Sequence, residues 1–500
     1  MKIQNELTEY FCDTYKIDKT RDYAVEEVDA KTLLTGERLD LVAKIKYIEC
    51  REKGQNTDFI KELYKSHIEA FTFGIYAESG NQEKNSIDKY FETFNHLIDT
   101  IKLTGFDAAK SVVPVGKDNV IMDGAHRTAI AIYFGLKLPI VRFPELYLRF
   151  DAEYFRKRRL DEKYIDYLVL EYCKLNPNTY FASVWPAAGD KKQQLDQMLA
   201  LMESSCKIIY SKKINMDFEA LNNFIAQVYM KEDWAGTSES QYEGSKGKTK
   251  NCYLWGNETT IYILESATFE AIFNMKQEIR EIFKIGTHSI HITDNQAETI
   301  RLANLTLNRN SLDYLFRGKP LIFTDFNKKV SEFKAALLEN HYEPDDFIVA
   351  SSGVLGVYGL RDIGDIDFFT LKPDYEVLEN EGCENNQAYA GFYEKRLDDL
   401  IYNPDNYLVY NDIKFITLDV LQKYKVARNR DKDIVDLKLI AGLTNPDMDS
   451  TAGWSKSRVA LNREYRIINY RLRAAAFKAL KQLGLYNSVR QVYRVMKGRN

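Results

Sequence analysis

The alternation of hydrophobic and polar positions changes period several times along the 500 residues, and each change marks an expected element. Residues 1–150 open in helical patterns. They end in a strand–turn–helix–strand run, SVVPVGKDNVIMDGAHRTAIAIYFGLKLPIVRF at 111–143, with NVIM as the strand before the turn. A charged helical connector is expected over 151–175. From 176 to 318 the order of a βαββαβ unit emerges. TYFASVWP, a helix, KIIYSKKINM, the helix FEALNNFIAQVYM, TTIYILES and a further helix precede a strand that ends at His291. Within this segment GTSESQYEGSKGKTKN (236–251) is the most loop-like stretch of the chain. Residues 319–445 alternate short apolar strands with helices. Residues 455–500 carry a basic helical pattern in which Phe477, Leu480, Leu485, Val489, Val492 and Met496 recur at helical spacing, broken at Gly484–Asn487. The expected fold class is α/β and α+β, multidomain, because a chain of this length exceeds what one core can bury.

Composition narrows the picture without changing it. Hydrophobic residues make up 45% and charged residues 28%, the balance of an ordinary globular protein. The net charge of −4 argues against a nucleic-acid coat, so no nucleic-acid partner is expected. The six cysteines form no C-x-x-C pair and read as reduced thiols. The opening residues have no apolar signal core, and no run of about 18 apolar residues is present, so a cytoplasmic location is expected.

Three short motifs carry candidate chemistry. In the first, Asp123-Gly124-Ala125-His126-Arg127 falls at the head of an expected helix. There, free N–H groups, a permissive glycine and two side-chain donors make an anion site; a capped helix with a surface arginine is the plainer alternative. The stretch resembles the ParB/sulfiredoxin-like domain, whose DG-x-HR turn holds nucleotide phosphates. Ala125 stands where sulfiredoxins have their reactive cysteine, so the resemblance implies the branch that includes small-molecule kinases. A kinase needs a carboxylate base, for which Glu37, Asp40 and Glu78 are candidates.

The second motif is the segment from Lys276 to Glu298. His288 and His291 lie three apart, with Thr293 and Asp294 just beyond and Lys276 and Arg280 upstream. A phosphorylated histidine, a metal ligand and a buried ring are all open from the residues alone. The order resembles the active-site region of nucleoside diphosphate kinases, which are ferredoxin-like βαββαβ proteins. That resemblance implies His291 as the phosphorylated residue, with Lys276, Arg280, Thr293 and Asp294 holding phosphate. Two departures stand out: His288 replaces an asparagine, and Trp185 replaces a lysine for which Lys191 or Lys246, Lys248 and Lys250 could substitute.

The third motif is the most specific. A strand leads to Ser351-Ser352-Gly353, and after a turn containing Arg361 comes Asp365-Ile366-Asp367. Residues i and i+2 of a strand face one side, so both carboxylates can grip the same hard cations. The pattern resembles the polymerase-beta-type nucleotidyltransferase superfamily, whose serine turn holds a triphosphate and whose aspartates hold magnesium. The resemblance implies Mg2+ or Mn2+, ATP or another nucleoside triphosphate, and a third carboxylate at Asp419 or Asp412. It also resembles that superfamily in the Arg430-Asp431-Lys432-Asp433 helix that follows.

Together the motifs predict a phosphotransferase or nucleotidyltransferase. It would act on a small alcohol or sugar and serve bacterial surface polysaccharide synthesis, whose enzymes the basic tail resembles. That tail would allow peripheral contact with an anionic membrane or a biosynthetic complex. The alternatives are a nucleotide-sensing scaffold and a toxin-type nucleotidyltransferase acting on RNA or protein.

Overall fold

The computed structural model describes residues 7–55, 57–76, 84–106, 111–379 and 382–444. They form a mixed α/β structure of many helices and several small sheets. Contacts gather the chain into two compact units. Of the described residues, unit 1 contains those within 7–217, 251–313 and 395–414, and unit 2 those within 218–250, 314–394 and 415–444. The basic tail, 455–500, and Glu78 lie outside the described residues. Among the described residues no helix is long and apolar enough to cross a membrane.

Unit 1 holds two sheets. In the first, β1 (Glu26–Asp29) runs antiparallel to β3 (Lys137–Arg142), and β2 (Val113–Val115) runs parallel to β3 on its other side. The expected NVIM strand is not formed; only Ile121 bridges to Val115. The reason is a tight return of the chain. Asp118 and Asn119 take left-handed backbone (φ 57° and 61°), and Met122 N donates back to Pro114 O at 2.8 Å. The helix Leu39–Glu52 packs against the helix Ala125–Phe134 and buries nine residues, Asp40 and Lys44 among them.

The second sheet has the order β5–β6–β4–β7, every neighbour antiparallel, from β4 (Thr179–Val184), β5 (Lys207–Ile214), β6 (Thr259–Glu265) and β7 (Ile290–Ile292). Tyr180, Ala182 and Val184 face a core shared with Met198, Met202, Ile272, Met275 and Ile279 of the helices Lys192–Ser205 and Phe269–Phe283. The period of two sends Ser183 to the opposite face, together with His291, its register partner.

Two expectations change here. The 151–175 connector is two helices, Ala152–Lys157 and Glu162–Leu175, and the second buries ten of its 14 residues. Its run YIDYLVLEYC is apolar around most of the circumference, so it is a core helix of unit 1, tied to Lys46 by Glu171 at 2.9 Å. The loop-like 236–251 stretch contains the helix Glu243–Cys252, with Glu243 in the first turn and Lys250 in the last, as the helix dipole favours. Gly244 fits there because a Cβ would lie 1.9 Å from the carbonyl of Trp234.

In unit 2, β8 (Phe347–Val349), β9 (Ile366–Thr370) and β10 (Cys383–Asn385) lie side by side, β8 antiparallel and β10 parallel to β9. The helix Thr324–Glu339 packs on β9. Two further helices of the unit, Leu418–Arg428 and Asp431–Thr444, pack on each other.

Candidate metal centre

Asp367 lies on β9 and Asp365 just before it, so their side chains share a face. The parallel register of β10 sets Glu384 beside Asp367. One oxygen from each of Asp365, Asp367 and Glu384 comes within 4.8 Å of the other two. Burial raises the pKa of Asp367; Asp365 and Glu384 push it further up, against a hydrogen bond from Ser351 and the charge of Arg428. Three converging carboxylates repel one another unless a cation lies between them. An all-oxygen, triply anionic donor set fits a hard divalent ion such as Mg2+ or Mn2+.

The surroundings hold this face rigid. Ala350 N donates to Asp367 O at 2.8 Å, which places the Ser351-Ser352 turn against the carboxylates. Ser351 has left-handed backbone (φ 49°), and its N–H donates to the Tyr393 hydroxyl at 3.3 Å. The Cys383 thiol, next to Glu384, is pushed up to about 12 by burial and by Asp365 and Asp367. Arg428, whose charge reaches Asp367, is gripped by Asp433 through two bonds of 2.9 and 2.5 Å. Lys425 joins Asp433 (3.2 Å) to Asp436 (2.6 Å).

Among the described residues the third carboxylate of this cluster is Glu384, and Asp419 and Asp412 are not part of it. Asp419 is exposed in the first turn of its helix and pairs with Lys423 at 2.9 Å. Asp412 occupies the Asn411-Asp412 turn, both residues left-handed, between the strands Tyr407–Tyr410 and Ile413–Ile416. Arg361 is likewise not a free phosphate ligand, because Asp436 holds its Nε and Nη2 at 2.7 and 3.2 Å. Glu384 could not be found from spacing, since only the β9–β10 register brings it in.

At the 123–127 turn, Gly124 caps the helix Ala125–Phe134 at φ 80°, and a Cβ there would lie 2.8 Å from Arg127 Nη2. Asp123 accepts from Gly124 N (2.6 Å) and from the Thr8 hydroxyl (2.9 Å). Burial lowers the Arg127 pKa, and Asp123 opposes the shift. His126 shares a 2.9 Å hydrogen bond with the Tyr64 hydroxyl and meets Phe94 at 4.6 Å. Burial, with Lys84, Lys44, His67 and Arg127 nearby, keeps its ring well below the ordinary value and neutral.

Asp40 is committed to two buried cations. Arg38 grips it at 2.8 and 2.9 Å and Lys44 at 3.0 Å, which holds its carboxyl far below the carboxylate range despite burial. Glu37 pairs with Lys207 at 3.1 Å and keeps a buried Oε2 without a hydrogen-bond partner.

His291, on β7, is buried and shares a 3.1 Å bond with Glu298 through Nε2. Burial lowers its pKa, against the pull of Glu298. Lys276 donates to Ile292 O (2.6 Å) and Asp294 (2.8 Å), so its ammonium closes the strand–helix corner. Thr293 accepts from Phe181 N at 2.9 Å and bonds Thr299 at 2.8 Å. Arg280 forms no ion pair among the described residues, and its Nε is buried without a partner. Lys191 donates to Phe283 O at 3.2 Å, at a helix end. Lys246, Lys248 and Lys250 belong to unit 2, whereas His291 belongs to unit 1. His288 faces the Cys252 sulfur at 3.8 Å.

No family model matches the chain, and neither a curated protein nor a solved structure matches it.

Proposed function

We propose that the chain is a metal-dependent nucleotidyltransferase that uses ATP or another nucleoside triphosphate to modify a hydroxyl on a small alcohol or sugar. The observation that carries this reading is the convergence of Asp365, Asp367 and Glu384 beside the Ser351-Ser352 turn. Divalent cations, when bound, supply charge neutralisation on the phosphates. Asp365, Asp367 and Glu384 would hold them. Ser351 and Ser352 would orient the triphosphate, and Arg428 would fix the Asp367 side. The acceptor oxygen forms a bond to the α-phosphorus as the α–β bridging bond breaks. Pyrophosphate leaves with that electron pair, and the hydroxyl proton passes to solvent.

The 123–127 turn enters the same reading as a phosphate-holding site in which Arg127 is the cation. The β5–β6–β4–β7 order with two covering helices supports a ferredoxin-like fold for the middle segment. There, the bonds of His291 and Lys276 favour a structural role over phosphate transfer. The test is pyrophosphate release and mass-spectrometric product detection with Mn2+, a panel of nucleoside triphosphates and small hydroxylated acceptors. Asp367→Asn and Glu384→Gln are expected to abolish turnover. Unchanged release in either variant overturns the reading.

A further inference from the structure

A column of flat groups runs outward from the carboxylate face. Phe369 of β9 meets Tyr393 edge-on at 5.1 Å, and Tyr393 stacks on Tyr424 at 4.2 Å and 14°. The Arg428 guanidinium lies over Tyr424 at 4.6 Å and over Tyr389 at 5.9 Å. Arg430 completes the series, 5.0 Å from the Tyr389 ring. The inner members are fixed: Tyr393 bonds the serine turn through Ser351 N, and Arg428 is locked by Asp433. The outer end is open. Tyr389 is half-buried and Arg430 is exposed. Among the described residues the Arg430 guanidinium forms no ion pair, and it lies against the ring of Tyr389.

The position of this end matters. Tyr389 follows Glu384 by five residues, in a short 3-10 turn that leaves β10 directly. Asn429 ends its helix in left-handed backbone (φ 50°), which turns the chain between the two arginines. A planar cation held on an aromatic ring at the open end of this column offers one more stacking plane. A nucleobase is the planar, polarisable group that accepts such a plane, whatever its identity.

We propose that Tyr389 and Arg430 form the face on which the base of the donor nucleotide stacks. This rests on the nucleotidyltransferase reading, and it adds that recognition is by stacking, with little preference among bases.

The full chain, saturated with Mn2+, is titrated by calorimetry with ATP and with inorganic tripolyphosphate, which has the phosphates but no base. The wild type is expected to bind ATP about tenfold more tightly, the scale of one stacked base. In Tyr389→Leu, which keeps bulk and charge, and in Arg430→Ala, an exposed position, that ratio is expected to fall towards one. Mn2+ affinity is expected to stay at the wild-type value and reports that the centre is intact. A wild-type ratio near one overturns the stacking face and leaves the metal centre standing, as does a ratio that survives both substitutions. Failure of the wild type to bind Mn2+, or undiminished Mn2+ binding by Asp367→Asn, overturns the underlying reading instead.

Discussion

Asp367 and Asp40 are both enclosed carboxylates, and their surroundings set them opposite tasks. The folded pKa of Asp367 lies above its unfolded value, so its ionisation works against folding. Metal-free protein should therefore gain stability as pH falls through that raised pKa towards the unfolded value of about 3.9. Asp367→Asn should be more stable than wild type at neutral pH by roughly 0.5–2 kcal/mol and should lose this pH-dependent gain. Denaturant titration in chelator checks both. Asp40 is depressed, so its contribution is complete above the unfolded carboxylate value of about 3.9 and is lost as pH falls below it. Asp40→Asn strands two buried cations and should cost roughly 3–5 kcal/mol at neutral pH, measured the same way. At this scale the chemistry legible in the sequence was local. The i,i+2 relation of Asp365 and Asp367 is a property of any strand, whereas Glu384 depends on a register that the sequence does not spell out. Asp40 reads as a candidate base in the sequence, where its grip by Arg38 and Lys44 is not visible.

At the scale of elements, the corner between β7 and the helix Gln296–Leu307 is held by a compact set of bonds. Asn295 caps the helix by accepting from Glu298 N at 2.9 Å, and Glu298 accepts from Asp294 N at 3.0 Å while holding His291. Asn295→Ala should cost about 1 kcal/mol, the usual worth of such a cap. Glu298→Ala should cost more, roughly 1–3 kcal/mol, because it removes two bonds at a buried corner. Thermal unfolding of the two variants ranks them, and equal losses would mean that the His291 contact contributes nothing. Periodicity was enough to anticipate β4, β5, β6 and the helices after them, since each buries a continuous face. It failed where tertiary contacts decide. NVIM has strand-like residues but is folded back by two left-handed positions, and 236–251 has loop-like residues but a helical fit around Gly244.

At the scale of the molecule, a ligand that binds only the folded carboxylate centre must raise stability by mass action. Mn2+ at a hundred times its Kd should add about 2.7 kcal/mol to the transition that unfolds unit 2. Chelator should remove the gain, and Asp367→Asn should never show it; calorimetry reads both. The division into units was the least legible feature. Changes of pattern follow the order of the chain, but residues 218–250 and 395–414 join units other than those of their sequence neighbours. Of those exchanges only the one at 250/251 coincides with a glycine-containing, loop-like stretch.

The interleaving of segments also bears on how the protein is made. β4 and β5 emerge from the ribosome before β6 and β7, the strands that lie between and beside them in the sheet. The last segment of unit 1 ends at residue 414, well after the first ends at 217. At ordinary elongation rates the gap lasts roughly 10–40 s. For the first part of that interval, until β6 and β7 have emerged, the nascent chain carries two strands with unpaired edges, open to wrong partners. A cell that produces this protein in quantity must shield those edges or translate quickly through the stretch between them.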